Sequence, residues 1–410
     1  MGVKRLKSYL RPQFRSVKLQ TLEGKRVGID GLGWLYKAFY SVSSDPSPHL
    51  LHLCLFRRLE AKFKTLQKYN ISFIVVLDGQ DLDCKRVALS RRTEKRSNFK
   101  RRAQENEDED IEVIAALEKY AQDPGRELIN LFIDYLDHKG YPFIVAPYEA
   151  DAQLIYLYKT KKVDYIISED SDFLAMSCFQ LISDVKKEGW AIAFDETASH
   201  SSAPKEAKEV WPSFSSLPAH RRLLLCIMSG CDYVENIKGV GFLTLLSFFV
   251  RHNQLKDDAF DSELVSFVTR RCGESSDNFM SQVRNAQATY THQIVYNPDV
   301  ERLVPLTPPP RGKDPSPFFV GAVFANAKAF ANGEIDKETL NPRVKTSVDF
   351  QAIFGFINYL PRENPIRLNN LCNEPFSYKE FIGKEKADED SGDEREFEET
   401  KVGKKIRKLK

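Results

Sequence analysis

Cysteine is scarce and scattered in this chain. The seven cysteines (Cys54, Cys84, Cys178, Cys226, Cys231, Cys272, Cys372) are an odd set with no Cys-x-x-Cys pair. That argues against a disulfide framework and against a zinc cluster, and it fits a reducing compartment. Long apolar runs are lacking too, since no stretch approaches the roughly 18 residues needed to span a bilayer. The first residues, Met1-Gly2-Val3-Lys4-Arg5, have no apolar core of a signal peptide. Lys7 stands where N-myristoylation of Gly2 would call for Ser or Thr. No internal repeat is present, and no Ser/His/Asp or Cys/His arrangement for nucleophilic catalysis is visible. A soluble nuclear or cytosolic protein is expected. An excess of one charge is also missing: 60 Lys and Arg face 58 Asp and Glu in 410 residues. The near balance hides segregation of the two signs along the chain. At 42% hydrophobic residues there is ample material for a core, which excludes global disorder.

What the chain does have is a series of short apolar runs, each followed by polar or helical sequence. They are Arg26–Asp30, Ser72–Asp78, Phe143–Ala146, Tyr165–Ser168 and Trp190–Phe194. Near-continuous apolar runs of this length suit strands buried on both faces. The intervening segments, His52 to Tyr69 and Glu127 to Lys139 among them, are long enough for helical crossovers. The expected fold class is α/β, an open, mostly parallel sheet flanked by helices. Between the second and third runs lies a charged insertion. Lys85, Arg86, Arg91, Arg92, Lys95, Arg96, Lys100, Arg101 and Arg102 form a basic block, followed by Glu105, Glu107, Asp108, Glu109, Asp110 and Glu112. Gly and Pro are missing from Lys85 to Gln122, so extended helix is expected, ended by Pro124-Gly125. Prolines at 305, 308–310, 315 and 317 mark a stiff connection. The last stretch, acidic from Glu385 and basic from Lys401, has the composition of a disordered tail.

The acids carry the chemical signal. Asp30 and Asp78 each terminate an apolar run, Glu149 and Asp151 follow the third, and Asp170 and Asp172 follow the fourth. In open α/β sheets the ligand crevice lies at the carboxyl ends of the strands, so all six would converge on one edge. Crowded carboxylates repel and raise one another's pKa, which implies bound cations. An all-oxygen donor set selects Mg²⁺ or Mn²⁺ over zinc. Two such ions about 4 Å apart can activate a water and stabilise the leaving oxygen of a phosphodiester. A single Asp at a strand end is more often a helix N-cap; it is the set, each after an expected strand, that points to metal.

Five motifs then appear in order. They are Asp30-Gly31-Leu32-Gly33-Trp34-Leu35, Leu77-Asp78-Gly79, Ala146-Pro147-Tyr148-Glu149-Ala150-Asp151-Ala152-Gln153-Leu154, Ser168-Glu169-Asp170-Ser171-Asp172-Phe173-Leu174-Ala175 and Ser229-Gly230-Cys231-Asp232-Tyr233. Lys238-Gly239-Val240-Gly241 follows them. Over roughly residues 1–345 the chain resembles the flap-endonuclease superfamily of structure-specific 5′ nucleases. The resemblance implies a PIN-like 5′-nuclease core with a helical arch and a helix–two-turn–helix element. It implies a two-metal site of Asp30, Asp78, Glu149, Asp151, Asp170, Asp172 and Asp232, the last of which spacing alone does not pick out. Lys85 matches the family's catalytic lysine on the arch. The matching arginine is Arg91 or Arg92; Lys85 and Arg92, two turns apart, would share a helix face. Gly2 matches the N-terminus beside the site. Tyr36, Lys37, Arg96, Lys238, Gly239 and Gly241 are the implied DNA contacts, and Ser229, Asn236 and Val240 the implied K⁺ ligands. Leu32 and Tyr36 depart from the family's usual Tyr and His; Tyr36 can still stack on a base, whereas Leu32 could only wedge.

The expected regions are 1–104 (nuclease and start of the arch), 105–137 (acidic remainder of the arch), 138–225 (internal nuclease region), 226–345 (helix–two-turn–helix and closing helices) and 346–410 (tail). The acidic block either repels DNA or, the preferred reading, solvates an exposed helix. The implied activity is metal-dependent 5′→3′ exonuclease on double-stranded DNA with 5′-flap endonuclease activity, in DNA repair or recombination. Alternatives are a flap endonuclease without processive exonuclease activity, a catalytically weak DNA-binding scaffold, and an unrelated Mg²⁺ phosphatase. Implied cofactors are two Mg²⁺, replaceable by Mn²⁺, and K⁺ at the helix–two-turn–helix. Double-stranded DNA with 5′ ends, nicks or flaps is the expected partner of a monomer without membrane contact. Family tails carry mismatch-repair and sliding-clamp motifs. Gln351 to Phe356 resembles a clamp box with the wrong spacing, and an aromatic cluster packing on the core is the preferred reading. Lys404 to Lys408 reads as a nuclear-localisation or DNA-binding patch, in keeping with a nuclear location.

Overall fold

The structure is a computed structural model, and it describes residues 2–42, 48–105, 125–186, 188–198, 205–308, 320–345 and 350. A seven-stranded sheet is built from β1 (Phe14–Lys18), β2 (Arg26–Asp30), β3 (Ser72–Leu77), β4 (Phe143–Val145), β5 (Tyr165–Ile167), β6 (Leu181–Val185) and β7 (Trp190–Phe194). Their order is β1-β7-β6-β5-β2-β3-β4. The pairings β2–β3, β2–β5, β3–β4 and β5–β6 are parallel, as expected from runs such as Phe73-Ile74-Val75-Val76-Leu77. The fold is therefore α/β with a mostly parallel sheet flanked by helices.

The fifth expected strand, Trp190–Phe194, departs from that pattern. It pairs antiparallel with both β6 and β1. Only four residues separate it from β6, enough for a hairpin but not for the dozen or more that a parallel crossover requires. It also leaves Trp190 41% exposed, with the Lys18 ammonium 5.5 Å from its ring. β1 and β6 escape sequence reading because Arg15, Lys18, Ser183 and Asp184 interrupt their apolar pattern.

The chain divides into two compact units. The first comprises Met1–Gly33, Lys62–Ala88 and Gly140–Val344, and the second Trp34–Ala61, Leu89–Lys139 and Lys345–Lys410. The helices that matter below are α1 (Gly31–Ser41), α2 (Pro48–Lys68), α3 (Arg86–Glu105), α4 (Gly125–Lys139), α5 (Ala150–Lys159), α6 (Ala219–Met228), α7 (Phe242–Arg251), α8 (Asp257–Cys272) and α9 (Ser276–His292). Gly125 opens α4, and the expected end of the preceding helix lies outside the described residues. A second, antiparallel ribbon joins β8 (Ile294–Asn297) to β9 (Arg302–Pro305).

The first unit's core runs from the N-terminal Val3, Leu6 and Leu10 through α5 to α6, α7 and α9. Arg221 of α6 is fixed beneath α7. Buried to 3% exposure, it donates to the carbonyls of Asn253 and Leu255 and lies 4.2 Å from the Phe260 ring. In the second unit Tyr135 is fully buried, stacks on Phe56 at 4.6 Å and donates its hydroxyl to Glu60. There Phe350 meets the Phe56 ring edge-on at 5.9 Å. No helix among the described residues is long and apolar enough to cross a membrane. Most of the acidic block after Glu105, Gln351 to Phe356, and Lys404 to Lys408 lie outside the described residues.

Candidate metal centre

All seven expected acids and Lys85 fall in the first unit. Asp30 closes β2 and Asp78 follows β3. The Asp78 Oδ1 accepts the Ala150 backbone N–H at 2.7 Å, which satisfies one of the orphan donors at the start of α5. Glu149 is the residue just before α5 and Asp151 lies in its first turn. Asp170 and Asp172 lie beyond β5, Asp172 opening a one-turn helix, and Asp232 follows α6. The sheet therefore sends its acids to the carboxyl ends of β2, β3, β4 and β5, where the parallel topology places the crevice.

Several are locked in place. Asp30 Oδ1 accepts the Gly33 N–H at 3.0 Å and Oδ2 accepts the Ser168 hydroxyl at 2.8 Å. The Asp170 N–H in turn donates to the Ser168 hydroxyl, and the Asp172 N–H donates to Asp170 Oδ1 at 2.9 Å. Tyr290 reaches in from α9 and donates its hydroxyl to Asp172 Oδ2 at 2.8 Å. The Glu149 N–H donates to Gln293 Oε1 at 3.1 Å. A Cβ on Gly2 would lie 2.1 Å from Asp170 Oδ1 and 2.6 Å from Asp172 Oδ1. Only glycine tolerates that approach, and its φ of +84° is in the left-handed region as well.

The electrostatics show a deficit of positive charge. Burial, helped by repulsion from Asp78, pushes the Asp30 carboxyl up to about 6. Burial raises Asp170 and Glu149 as well, and with the facing carboxylates it lifts Asp151 and Asp172 well above the usual carboxylate range. Lys85 donates its ammonium to Glu149. Burial alone would lower the Lys85 pKa, but Glu149 and Asp78 outweigh it and raise it.

Among the described residues no group of three or more His, Cys, Asp or Glu side chains is drawn close enough to hold a metal ion. Asp172 Oδ1 is buried with no hydrogen-bond partner, although buried carboxylate oxygens are normally satisfied. An all-oxygen donor set, raised carboxyl groups and a buried carboxylate oxygen without a partner fit a hard divalent cation.

The seven acids also share a sequence boundary. The XPG N-terminal domain matches residues 1–99 and the XPG I-region matches residues 140–232, and between them these stretches hold every one of the seven. The wording of their motifs, Tyr-Glu-Ala-Asp-Ala-Gln and Gly-Cys-Asp-Tyr, most resembles exonuclease 1. The chain is 28% identical to Exonuclease 1 of Arabidopsis thaliana over 357 residues, covering 85% of this chain and 46% of that protein. It is 28% identical to Exodeoxyribonuclease 1 of Schizosaccharomyces pombe over 362 residues, covering 86% of this chain and 59% of that protein. The chain thus spans about half the length of these curated relatives. The solved catalytic core of Rad2 in complex with DNA substrate superposes with a TM-score of 0.48 at 20% identity, over 87% of this chain and 94% of that one.

α6, the Gly239-Val240-Gly241 turn and α7 form the expected pair of helices about a glycine turn. Gly239 has φ +76°, and a Cβ on Gly239 or Gly241 would meet no protein atom within 4 Å. Lys238 is exposed. Each expected potassium ligand already holds a partner. The Ser229 hydroxyl donates to the Leu225 carbonyl at 2.8 Å. Asn236 Oδ1 accepts the Lys4 ammonium at 2.9 Å. The Val240 carbonyl accepts Asn236 Nδ2 at 3.3 Å.

Other expected residues fall elsewhere. Tyr36, Lys37, Arg91, Arg92 and Arg96 belong to the second unit, with Arg91, Arg92 and Arg96 on α3 and Tyr36 and Lys37 on α1. Leu32 is only 8% exposed. It is packed into the protein and does not stand out as a wedge. Sequence reasoning missed Tyr290, Gln293 and the role of Ser168. Ser168 sits in a quoted motif, but Tyr290 and Gln293 lie in no motif, and only the return of α9 to the sheet brings them to the acids.

Proposed function

We propose that the chain is a metal-dependent 5′→3′ exonuclease on double-stranded DNA that also cleaves 5′ flaps, acting in the nucleus in DNA repair or recombination. The observation that carries this reading is the buried carboxylate cluster, with Asp172 Oδ1 left without a partner, inside the two XPG regions. Asp30, Asp78, Glu149, Asp151, Asp170, Asp172 and Asp232 would hold two Mg²⁺, or Mn²⁺ in their place. A pair of bound divalent cations supplies an activated water there and charge compensation for the phosphodiester's leaving oxygen.

The chain's own groups set the conditions for that chemistry. Ser168 and the Gly33 N–H fix the rotamer of Asp30, while Tyr290 fixes Asp172, so the acids face the crevice at no ordering cost during turnover. Lys85, held at the cluster by Glu149, places an ammonium where an approaching phosphate meets the acids and offsets their repulsion. The missing side chain at Gly2 lets the N-terminal backbone pack directly against Asp170 and Asp172. Arg91 or Arg92 would assist at the scissile phosphate. Tyr36, Lys37, Arg96, Lys238, Gly239 and Gly241 would hold the duplex through its backbone without reading sequence.

The test uses a 5′-recessed duplex labelled at separate ends, alongside blunt, nicked and flapped duplexes. Mononucleotides should leave from the 5′ end in Mg²⁺ and not in EDTA. Asp172→Ala should lose at least on the order of 10²- to 10³-fold in rate while duplex affinity is kept. Binding without cleavage by the unaltered protein in Mg²⁺ would remove the catalytic reading. Cleavage of flaps alone would narrow the activity to an endonuclease.

A further inference from the structure

The turn between α6 and α7 lines a cavity of about 450 Å³ whose wall includes Lys4, Arg5, Asn236 and the Gly239–Gly241 backbone. Two cations face into it, and no carboxylate is among its lining residues. Lys4 is fixed there from several directions. Its neighbours Val3 and Leu6 are buried in the core, and its backbone N–H donates to the Gly230 carbonyl at 2.9 Å. Its stem lies against Gly230, where a Cβ would come within 2.9 Å of Lys4 Cδ. Its ammonium ends on Asn236 Oδ1 at 2.9 Å. Arg5 is held beside it with φ +61°, a conformation that costs a non-glycine residue energy and persists where the surroundings over-determine it. Tyr9, stacked on Phe242 at 5.1 Å, closes one side.

Potassium would have to share Asn236 Oδ1 with the Lys4 ammonium, which already stands on it at 2.9 Å, and two cations on one oxygen repel. We propose that the Lys4 ammonium is the built-in cation of this turn, and that the cavity takes a backbone phosphate of nucleic acid directly, without potassium between them. This rests on the nuclease reading for the identity of the ligand, but the cation exclusion does not.

Two measurements on the full chain test it. In the first, duplex binding is followed in EDTA at fixed ionic strength with potassium or N-methylglucamine as the cation. The unaltered protein should bind equally in both, within about twofold, whereas Lys4→Met should lose roughly two- to fivefold in N-methylglucamine. The variant's slope of log affinity against log salt should fall by about 1. In the second, DNA-free protein is titrated with thallium(I) as a potassium surrogate. Saturable binding should appear only in Lys4→Met, where Asn236 Oδ1 is released. Potassium-dependent DNA binding or saturable thallium binding by the unaltered protein overturns the proposal and leaves the nuclease reading standing. Equal DNA affinity of Lys4→Met and the unaltered protein also overturns it. Failure to bind DNA in either salt overturns the phosphate assignment together with the nuclease reading, while the thallium titration still decides the cation.

Discussion

Asp172 shares its two oxygens unequally. Oδ2 is tied to Tyr290, and Oδ1 is buried with no partner. A hydroxyl on one oxygen fixes the plane of the carboxylate, so the other points in one direction. Groups that orient metal ligands in this way commonly govern metal affinity by 10- to 100-fold. Tyr290→Phe keeps the ring and its edge-on contact with Tyr233 at 5.2 Å and removes only the donor. We expect Mn²⁺ affinity to fall by about tenfold with the melting temperature little changed; isothermal titration beside a thermal melt reads both. Unchanged Mn²⁺ affinity would reduce Tyr290 to a packing residue. Most of the carboxylate set was legible in the sequence because each acid follows an apolar run, which is a local signal. Asp232 came only through the family motif. Tyr290 was not legible at all, because its partner is 118 residues away and nothing around it in the chain marks the contact.

At the scale of elements, Gln153 acts as a substitute strand. It is fully buried on α5, donating Nε2 to the Tyr296 carbonyl at 2.8 Å and accepting the Tyr296 N–H on Oε1 at 2.7 Å. One side-chain amide thus completes two backbone hydrogen bonds of β8 and ties the β8–β9 ribbon to the helix that carries Asp151. Gln153→Met conserves volume but leaves both Tyr296 groups without their partner in the interior. It should destabilise the fold by about 2 kcal/mol or more, read as a lower urea midpoint with an unchanged slope. A loss below about 0.5 kcal/mol, the range of ordinary surface substitutions, would mean that water or the backbone replaces the amide. The sequence displayed Gln153 within a motif without disclosing this role, because the partner strand is non-local. The same physics separates the legible strands from the rest. β2 to β5 are apolar runs covered on both sides, whereas β1 carries Arg15 and Lys18 near a sheet edge, and β6 carries Ser183 and Asp184.

For the whole molecule, the fold of the first unit maintains a crowd of acids whose burial and mutual repulsion are unfavourable when they are ionised. Their raised pKa values, with Asp30 at about 6, mark that cost. A ligand that binds the folded state alone stabilises it by mass action, and at a concentration 100 times its Kd the gain is about 2.7 kcal/mol. For a protein of this size each kcal/mol moves the melting temperature by roughly 1 °C, so saturating Mg²⁺ should raise it by about 3 °C over EDTA. The rise should follow a binding isotherm in Mg²⁺. Sodium chloride at equal ionic strength should not reproduce it, because screening acts weakly on buried charges. Asp172→Ala should shrink the Mg²⁺-dependent rise, even where the metal-free variant melts higher than the unaltered protein because one buried charge has gone. Identical melting curves in Mg²⁺ and EDTA would show that these acids bind no divalent cation in the folded chain, and the two-metal assignment would fall with them.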